Sequence, residues 1–303
     1  MTGRSHPAAA PAPGDGRPAA LPPLLPGLTY LAAALTRTAL PPAGETAWIE
    51  EEAQALLAAE RFAAPIAPLA TRRPGLTLAD AYRIQWAGAR LRIEAGARPV
   101  GHKIGLTSAA MREQMGIAEP DSGILLDDMV VPDGGTVTLA DLVSPRIEAE
   151  FAFRLGRDLA GTAVDLETAR RSVDQVQVTL EVIDTRYRDW QITLADSIAD
   201  NAACARIVTG PPVELRPGTD LREQLLSVTV DDEPAASGRG REVLGDPLEA
   251  VAWLARRLAA FGTGLKAGDV VLAGSVHASL PLRPGTEIRA ACEGLPPVTA
   301  HIV

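Results

Sequence analysis

Arg146-Ile147-Glu148-Ala149-Glu150-Phe151-Ala152-Phe153 is the stretch on which the reading of this chain turns. Successive side chains of an extended strand point to opposite faces, so Ile147, Ala149, Phe151 and Phe153 line one face and Glu148 and Glu150 the other. The apolar face predicts a strand laid on a core. Residues two apart on a strand are about 6–7 Å apart at Cα, so both carboxylates reach one point, where they repel each other unless a cation lies between them. For the motif by itself the plainer reading is a solvated strand face paired with Lys or Arg.

A second alternating stretch, Val176-Gln177-Val178-Thr179-Leu180-Glu181-Val182-Ile183-Asp184, sends Glu181 to the face opposite Val176, Val178, Leu180 and Val182. It supplies a third carboxylate from an otherwise apolar strand, which weakens the solvated reading. Three carboxylates with no thiolate or imidazole among them suit Mg²⁺ or Mn²⁺ in an oxygen shell completed by water and substrate, whereas zinc usually recruits His or Cys. His102 and His277 have no partner at ligand spacing and stay outside this shell.

Outward from these strands, short extended segments separated by turns such as Pro132-Asp133-Gly134-Gly135 make residues 101–303 a strand-rich domain. Helices are expected at 109–115 between Ser108 and Gly116, at 166–174 after Asp165, and at 247–260, where Asp246 caps, Pro247 opens and Glu249 completes a capping box. Leu226, Val228 and Val230 alternate up to an Asp231-Asp232 turn, predicting a hairpin over 226–238. Two helices occupy 45–100: one from Trp48 to before Pro65, and one opened by Thr77 with Asp80 and closed near Gly96. Together they read as a small helical N-terminal subdomain. Residues 1–44, with Pro7, Pro11, Pro13, Pro18, Pro22, Pro23 and Pro26 among Ala and Gly, read as a disordered Ala/Pro-rich extension and not as a signal peptide.

A chain of 303 residues that is 47% hydrophobic can bury a full core without staples, and Cys204 and Cys292, its two cysteines, read as ordinary thiols of a reducing, cytoplasmic compartment. A net charge of −9 argues against a nucleic-acid surface, and no apolar run is long enough to cross a bilayer. An anionic substrate would be repelled by the overall field, so its site needs a local cation.

Gly101-His102-Lys103-Ile104-Gly105-Leu106-Thr107-Ser108, Glu119-Pro120-Asp121-Ser122-Gly123 and Pro145 to Glu150 are followed by Leu180 to Arg186, Asp189-Trp190, Asp196 to Ala202, and Lys266 to Ser275. In that order these blocks resemble the 2-oxo-4-pentenoate hydratase and 4-oxalocrotonate decarboxylase family of the fumarylacetoacetate hydrolase superfamily, over roughly residues 74–303. The resemblance implies an α+β fold: a strand-rich mixed β-roll or sandwich with peripheral helices. It also implies that Glu148, Glu150 and Glu181 are the metal ligands. The implied activity is a hydratase adding water to a 2-hydroxydienoate or 2-oxo-4-enoate. A decarboxylase of a 2-oxo-3-enedioate is the alternative, followed by an acylpyruvate hydrolase or a non-catalytic partner subunit.

Within that frame Lys103 is expected to bind the substrate's anionic oxygen or shuttle protons, and Asp121 to act as acid or base at the distal carbon. Arg186, Asp200, Asn201 and Ser275 are expected to bind substrate; the alternatives are an ion pair of Arg186 with Asp184 or Asp189, and turn formation by Asp200 and Asn201. The expected partners are a small 2-oxo acid, further copies of the chain and a related pathway enzyme. The segment Ser275-Val276-His277-Ala278-Ser279-Leu280 departs from the family's wording, and Glu119 to Met129 is similar to hydratases of seven-carbon oxo-diacids.

Overall fold

The computed structural model describes residues 47–303, so the extension expected over 1–44 lies outside the described residues. Three helices come first: α1 (Ala47–Arg61), the short α2 (Leu69–Arg72) and α3 (Leu78–Glu94). Then β1 (Pro99–Gly105), α4 (Ala109–Met115), β2 (Asp121–Leu126), β3 (Val130–Pro132) and β4 (Gly135–Val137) lead to β5 (Arg146–Leu155). After α5 (Leu166–Ser172) come β6 (Val173–Ile183), α6 (Leu194–Ala199), β7 (Cys204–Thr209) and β8 (Val213–Glu214). A hairpin of β9 (Leu225–Val230) and β10 (Glu233–Arg239) precedes α7 (Pro247–Ala260). The last strands are β11 (Val270–Ser275), β12 (Leu280–Pro281), β13 (Glu287–Cys292) and β14 (Leu295–Ile302).

The strands form two sheets. The larger runs β2-β1-β11-β5-β6-β7-β3, with β12 beside β5 and β8 beside β6; the smaller runs β10-β9-β13-β14-β4. Between them lies the main core, in which Ile147, Phe151, Phe153, Val178, Leu180 and Val182 of the large sheet join Val228, Ile288, Ala290, Val298 and Ala300 of the small one. Each fully buried Phe or Leu there contributes about 1.5–3 kcal/mol of transfer free energy.

The other face of the large sheet carries Glu148 and Glu150, and it is also covered. Ala89 and Trp86 of α3 pack with Ile124, Ala152, Cys204 and Leu272 of the sheet, and Gln85 Nε2 donates to the carbonyls of Ser122 and Ile198 at 2.7 and 2.8 Å. The core of the N-terminal helices, built on Ile49, Ala53, Ala81 and Ile84, is completed by Tyr187, Ala195, Ile198 and Ala199. The helical segment expected as a subdomain over 45–100 therefore shares its core with residues that follow β6. That shared core puts a roof on the glutamate face.

Thr77 and Asp80 form the expected capping box on α3, Ser108 caps α4, and Gly116 ends that helix at φ 68°. The hairpin turn has Asp231 and Asp232 at φ 51° and 66°, the backbone of a type I′ turn. Two local expectations are corrected. Helix α5 stops at Ser172 because Val173 enters the ladder opposite Leu155. Asp246 caps α7 through Leu248 N, but Glu249 closes no capping box: its carboxylate pairs with Arg256 at 2.6 Å, about two turns along the helix. Cys204 and Cys292 are both buried free thiols. Among the described residues no helix is long and apolar enough to cross a membrane.

Candidate active site

Strand pairing brings the three glutamates together. In the antiparallel ladder of β5 and β6, Glu148 sits directly opposite Glu181, with Glu150 opposite Thr179 in the next row inward and Arg146 opposite Ile183 in the next row outward. One carboxylate oxygen from each of Glu148, Glu150 and Glu181 lies within 4.8 Å of the others. All three side chains are buried, at 3%, 0% and 0% exposure. Glu150 Oε2 accepts from Gly274 N at 2.7 Å. Oε1 of Glu148, Oε1 of Glu150 and both oxygens of Glu181 are buried with no hydrogen-bond partner.

Burial first, then the neighbouring Glu181 charge, pushes Glu148 up to about 8 and Glu150 well above the carboxylate range; Lys103 offsets only part of this. Orphaned buried carboxylate oxygens are costly, and a hard divalent cation is the partner whose chemistry matches an all-oxygen donor set. Glu148, Glu150 and Glu181 thus fit a Mg²⁺- or Mn²⁺-type ion. His102 and His277 stand outside this cluster.

Lys103, on β1 and 2% exposed, donates from Nζ to Ala202 O at 2.9 Å and lies 3.3 Å from Glu181 Oε1. Burial disfavours its charge, but Glu181, Asp121 and Glu148 outweigh burial and hold the ammonium well above its ordinary pKa. Asp121 opens β2 opposite Gly105. Its Oδ2 accepts from Ser197 Oγ at 2.5 Å, while Oδ1 is buried without a partner. A Cβ at Gly105 would come within 2.3 Å of Asp121 Oδ1 and 3.2 Å of Lys103 Nζ. Glycine there leaves the space into which both side chains point.

Arg186 is spent on the chain itself. Its Nε pairs with Asp200 Oδ1 at 2.5 Å, Nη1 donates to Asp184 O and Cys204 O, and Nη2 donates to Asp200 O. Burial raises Asp200, the Arg186 charge counters it, and its carboxyl settles at about 6. Asn201 makes two bonds to Ile124, accepting from its N–H at 2.8 Å and donating to its carbonyl at 2.9 Å.

Between these anchors Asn201, Ala202 and Ala203 all have positive φ, at 54°, 52° and 56°, a left-handed run costing roughly 1–2 kcal/mol per residue. The clamp of Arg186 and Asn201 holds that run, and the run presents the Ala202 carbonyl to Lys103. Ser275 faces Glu150 across the ladder, but its hydroxyl donates to His277 O at 2.7 Å. His277 in turn accepts from Ala149 N at 3.3 Å, supplying an acceptor where β11 leaves the edge of β5.

The profile of the Fumarylacetoacetate (FAA) hydrolase C-terminal family matches residues 103–303. The chain belongs to this family. It is 39% identical over 250 residues to the 2-hydroxyhexa-2,4-dienoate hydratase of Comamonas testosteroni, covering 82% of this chain and 95% of that protein. It is also 39% identical over 230 residues to a 4-oxalocrotonate decarboxylase of Pseudomonas putida, covering 76% and 87%. Among solved structures, 4-oxalocrotonate decarboxylase from Pseudomonas putida G7, complexed with magnesium and adipate, superposes with a TM-score of 0.81 at 35% identity, covering 84% of this chain and 97% of that one.

Several groups at this fumarylacetoacetate hydrolase-type site escaped the sequence reading. Ser197, the Ala202 carbonyl and the Gly274 N–H carry no local signal, since their roles arise from contacts between distant segments. Arg146 was legible, because it alternates with Glu148 and Glu150 and so shares their face. Its Nε donates to Ser279 Oγ at 2.6 Å and its Nη2 to Ser279 O at 2.7 Å. Gln114 Oε1 accepts from Ser279 N and Oγ, both at 2.9 Å.

His102, beside Lys103 but pointing to the opposite face of β1, is held by burial at about 4, with a hydrogen bond to the Gly123 backbone offsetting part of the shift. The imidazole folds neutral, whereas the unfolded chain takes up a proton below its ordinary value near 6.5. This contribution is therefore intact above pH ~6.5 and lost as pH falls towards the folded value. Between pH 7 and 4.5 it amounts to about 2–3 kcal/mol. His102→Asn is expected to show a correspondingly smaller loss than wild type when urea denaturation is compared at those two pH values; parallel losses would rule this assignment out.

Proposed function

We propose that the chain is a divalent-metal-dependent lyase acting on a small 2-oxo acid, with hydration of a 2-hydroxydienoate or 2-oxo-4-enoate as its reaction. The observation that carries this reading is the convergence of three buried glutamates, each with at least one oxygen lacking a hydrogen bond, beside a charged lysine. Glu148, Glu150 and Glu181 would hold Mg²⁺ or Mn²⁺, which supplies Lewis acidity to the keto and carboxylate oxygens of a 2-oxo acid. The similarity to the decarboxylase complexed with magnesium supports the choice of ion.

Each residue then has a task set by its surroundings. The Lys103 ammonium, fixed by Ala202 O and Glu181, stabilises negative charge developing on the substrate's C2 oxygen in a buried setting that screens charge weakly. Asp121, oriented by Ser197 and with Oδ1 free, moves the proton at the distal carbon. Arg186, Asp200 and Asn201 serve the reaction by holding the 201–203 turn in place.

Decarboxylation of a 2-oxo-3-enedioate is the second reading, and it is favoured by the decarboxylase among both the relatives and the solved structures. It develops charge on the same C2 oxygen. Purified protein with Mg²⁺ is expected to consume 2-hydroxypenta-2,4-dienoate, followed by loss of dienol absorbance. CO₂ release from 2-oxohex-3-enedioate distinguishes the alternative. EDTA is expected to abolish turnover and excess Mg²⁺ to restore it; activity indifferent to chelation, or silence on both compounds, would remove the proposal.

A further inference from the structure

We propose that Arg146 forms a second anion subsite, which selects 2-oxo acids carrying a carboxylate at the far end of the chain over those that end in an alkene or alkyl group. The inference rests on the reading of Glu148, Glu150 and Glu181 as the centre that takes the 2-oxo acid end. Arg146 lies on the same strand face, one row outward from the Glu148 and Glu181 pair, about 6–7 Å further along the strand. It is half-buried where the glutamates are fully buried, so the row sequence runs from the closed interior toward solvent. A substrate whose keto-acid end lies at the glutamates has its distal end over the Arg146 and Ile183 row.

Two further observations make this arginine an anion site. Among the described residues no carboxylate forms an ion pair with Arg146, whereas Arg186, which follows β6, is fully engaged. Its aim is also built. Ser279, 3% exposed, takes Nε and one Nη2 hydrogen, and Gln114 fixes Ser279 in turn. Nη1 has no partner among the described residues. A planar guanidinium held along one edge keeps its other edge for a carboxylate. Ile183, opposite Arg146 in the same row, and the Met111 that packs with it give the intervening carbons an apolar wall.

The test uses two unreactive ligands that differ only at the distal end, 2-oxohexanedioate and 2-oxohexanoate, titrated calorimetrically into the full-length protein with Mg²⁺. Wild type is expected to bind the diacid roughly 10–100-fold more tightly, the range of one charge-assisted hydrogen-bonded pair. Arg146→Gln is expected to erase that ratio while leaving the monoacid within about 2-fold; Arg146→Lys, which keeps the charge and stem, is expected to restore part of it.

A wild-type ratio near one overturns the subsite. So does an Arg146→Gln loss that is equal for both ligands, because the arginine would then serve the keto-acid end or the fold. If neither ligand binds wild type with Mg²⁺, the reading of the glutamate centre itself falls, an outcome distinct from binding both without preference.

Discussion

Glu148→Gln is expected to lower turnover by on the order of 10³-fold while raising the melting temperature of the protein stripped of metal. The two effects share one cause. Glu148 is buried opposite Glu181 with an orphaned oxygen, and its pKa stands at about 8 because burial and the Glu181 charge both oppose ionisation. Glutamine keeps the shape and removes the charge, so the metal-free protein is relieved of a like-charge contact in a low-dielectric setting. The same change deprives a divalent ion of an anionic donor.

The pH dependence follows with its sign. A carboxyl whose folded pKa is raised binds its proton more tightly in the folded state. Metal-free stability should therefore fall as pH rises from the unfolded value, near 4.5, through about 8. Ion binding requires the deprotonated carboxylate, so affinity for Mg²⁺ should rise over the same range. Scanning calorimetry with EDTA and with Mg²⁺ at pH 6 and 8 checks both arms. In wild type the Mg²⁺-induced rise should be larger at pH 8; in Glu148→Gln it should nearly vanish. An undiminished Mg²⁺ shift, or full activity, in the variant would remove Glu148 from the ion's shell.

Arg186→Met is expected to cost about 3–5 kcal/mol of stability, because it leaves Asp200 buried without its counter-charge. The carbonyls of Asp184, Asp200 and Cys204 lose their donor as well. Urea denaturation measures the loss. The double variant Arg186→Met, Asp200→Leu should recover a good part of it, since removing both charges eliminates the unpaired one; the coupling comes from the cycle of single and double variants. A loss below about 1 kcal/mol, as for a surface ion pair, would show that the clamp does not hold the 201–203 turn. Lys103 should feel the same change, since the Ala202 carbonyl that anchors its Nζ belongs to that turn.

Much of this site could be read before any coordinates. The alternation in 146–153 and 176–184 assigned Glu148, Glu150 and Glu181 to polar strand faces, and the caps at Thr77, Ser108, Asp165 and Asp246 fell where local chemistry demands them. The fate of that polar face could not be read. An E-x-E strand face is compatible with solvent, and it is buried here because α3 packs across it, with Gln85 tied to segments 37 and 113 residues away. Arg186 shows the same limit: the alternatives weighed from sequence were substrate, Asp184 and Asp189, and the partner carboxylate is Asp200, brought back by the chain's return through α6.

Strand periodicity and capping act over one to four residues, so the chain by itself determined its elements, the side of each strand that bears charge, and a donor set of three glutamates. Only the tertiary structure decided that Glu148 faces Glu181 in one row with Arg146 and Ile183 in the next. Only it decided, too, that Lys103 is neutralised from within and that Asp121 Oδ1 is left without a partner. Those outcomes depend on strand register and on which loops pack over a face. Both are set by the summed burial of the whole core, which no short window of sequence contains.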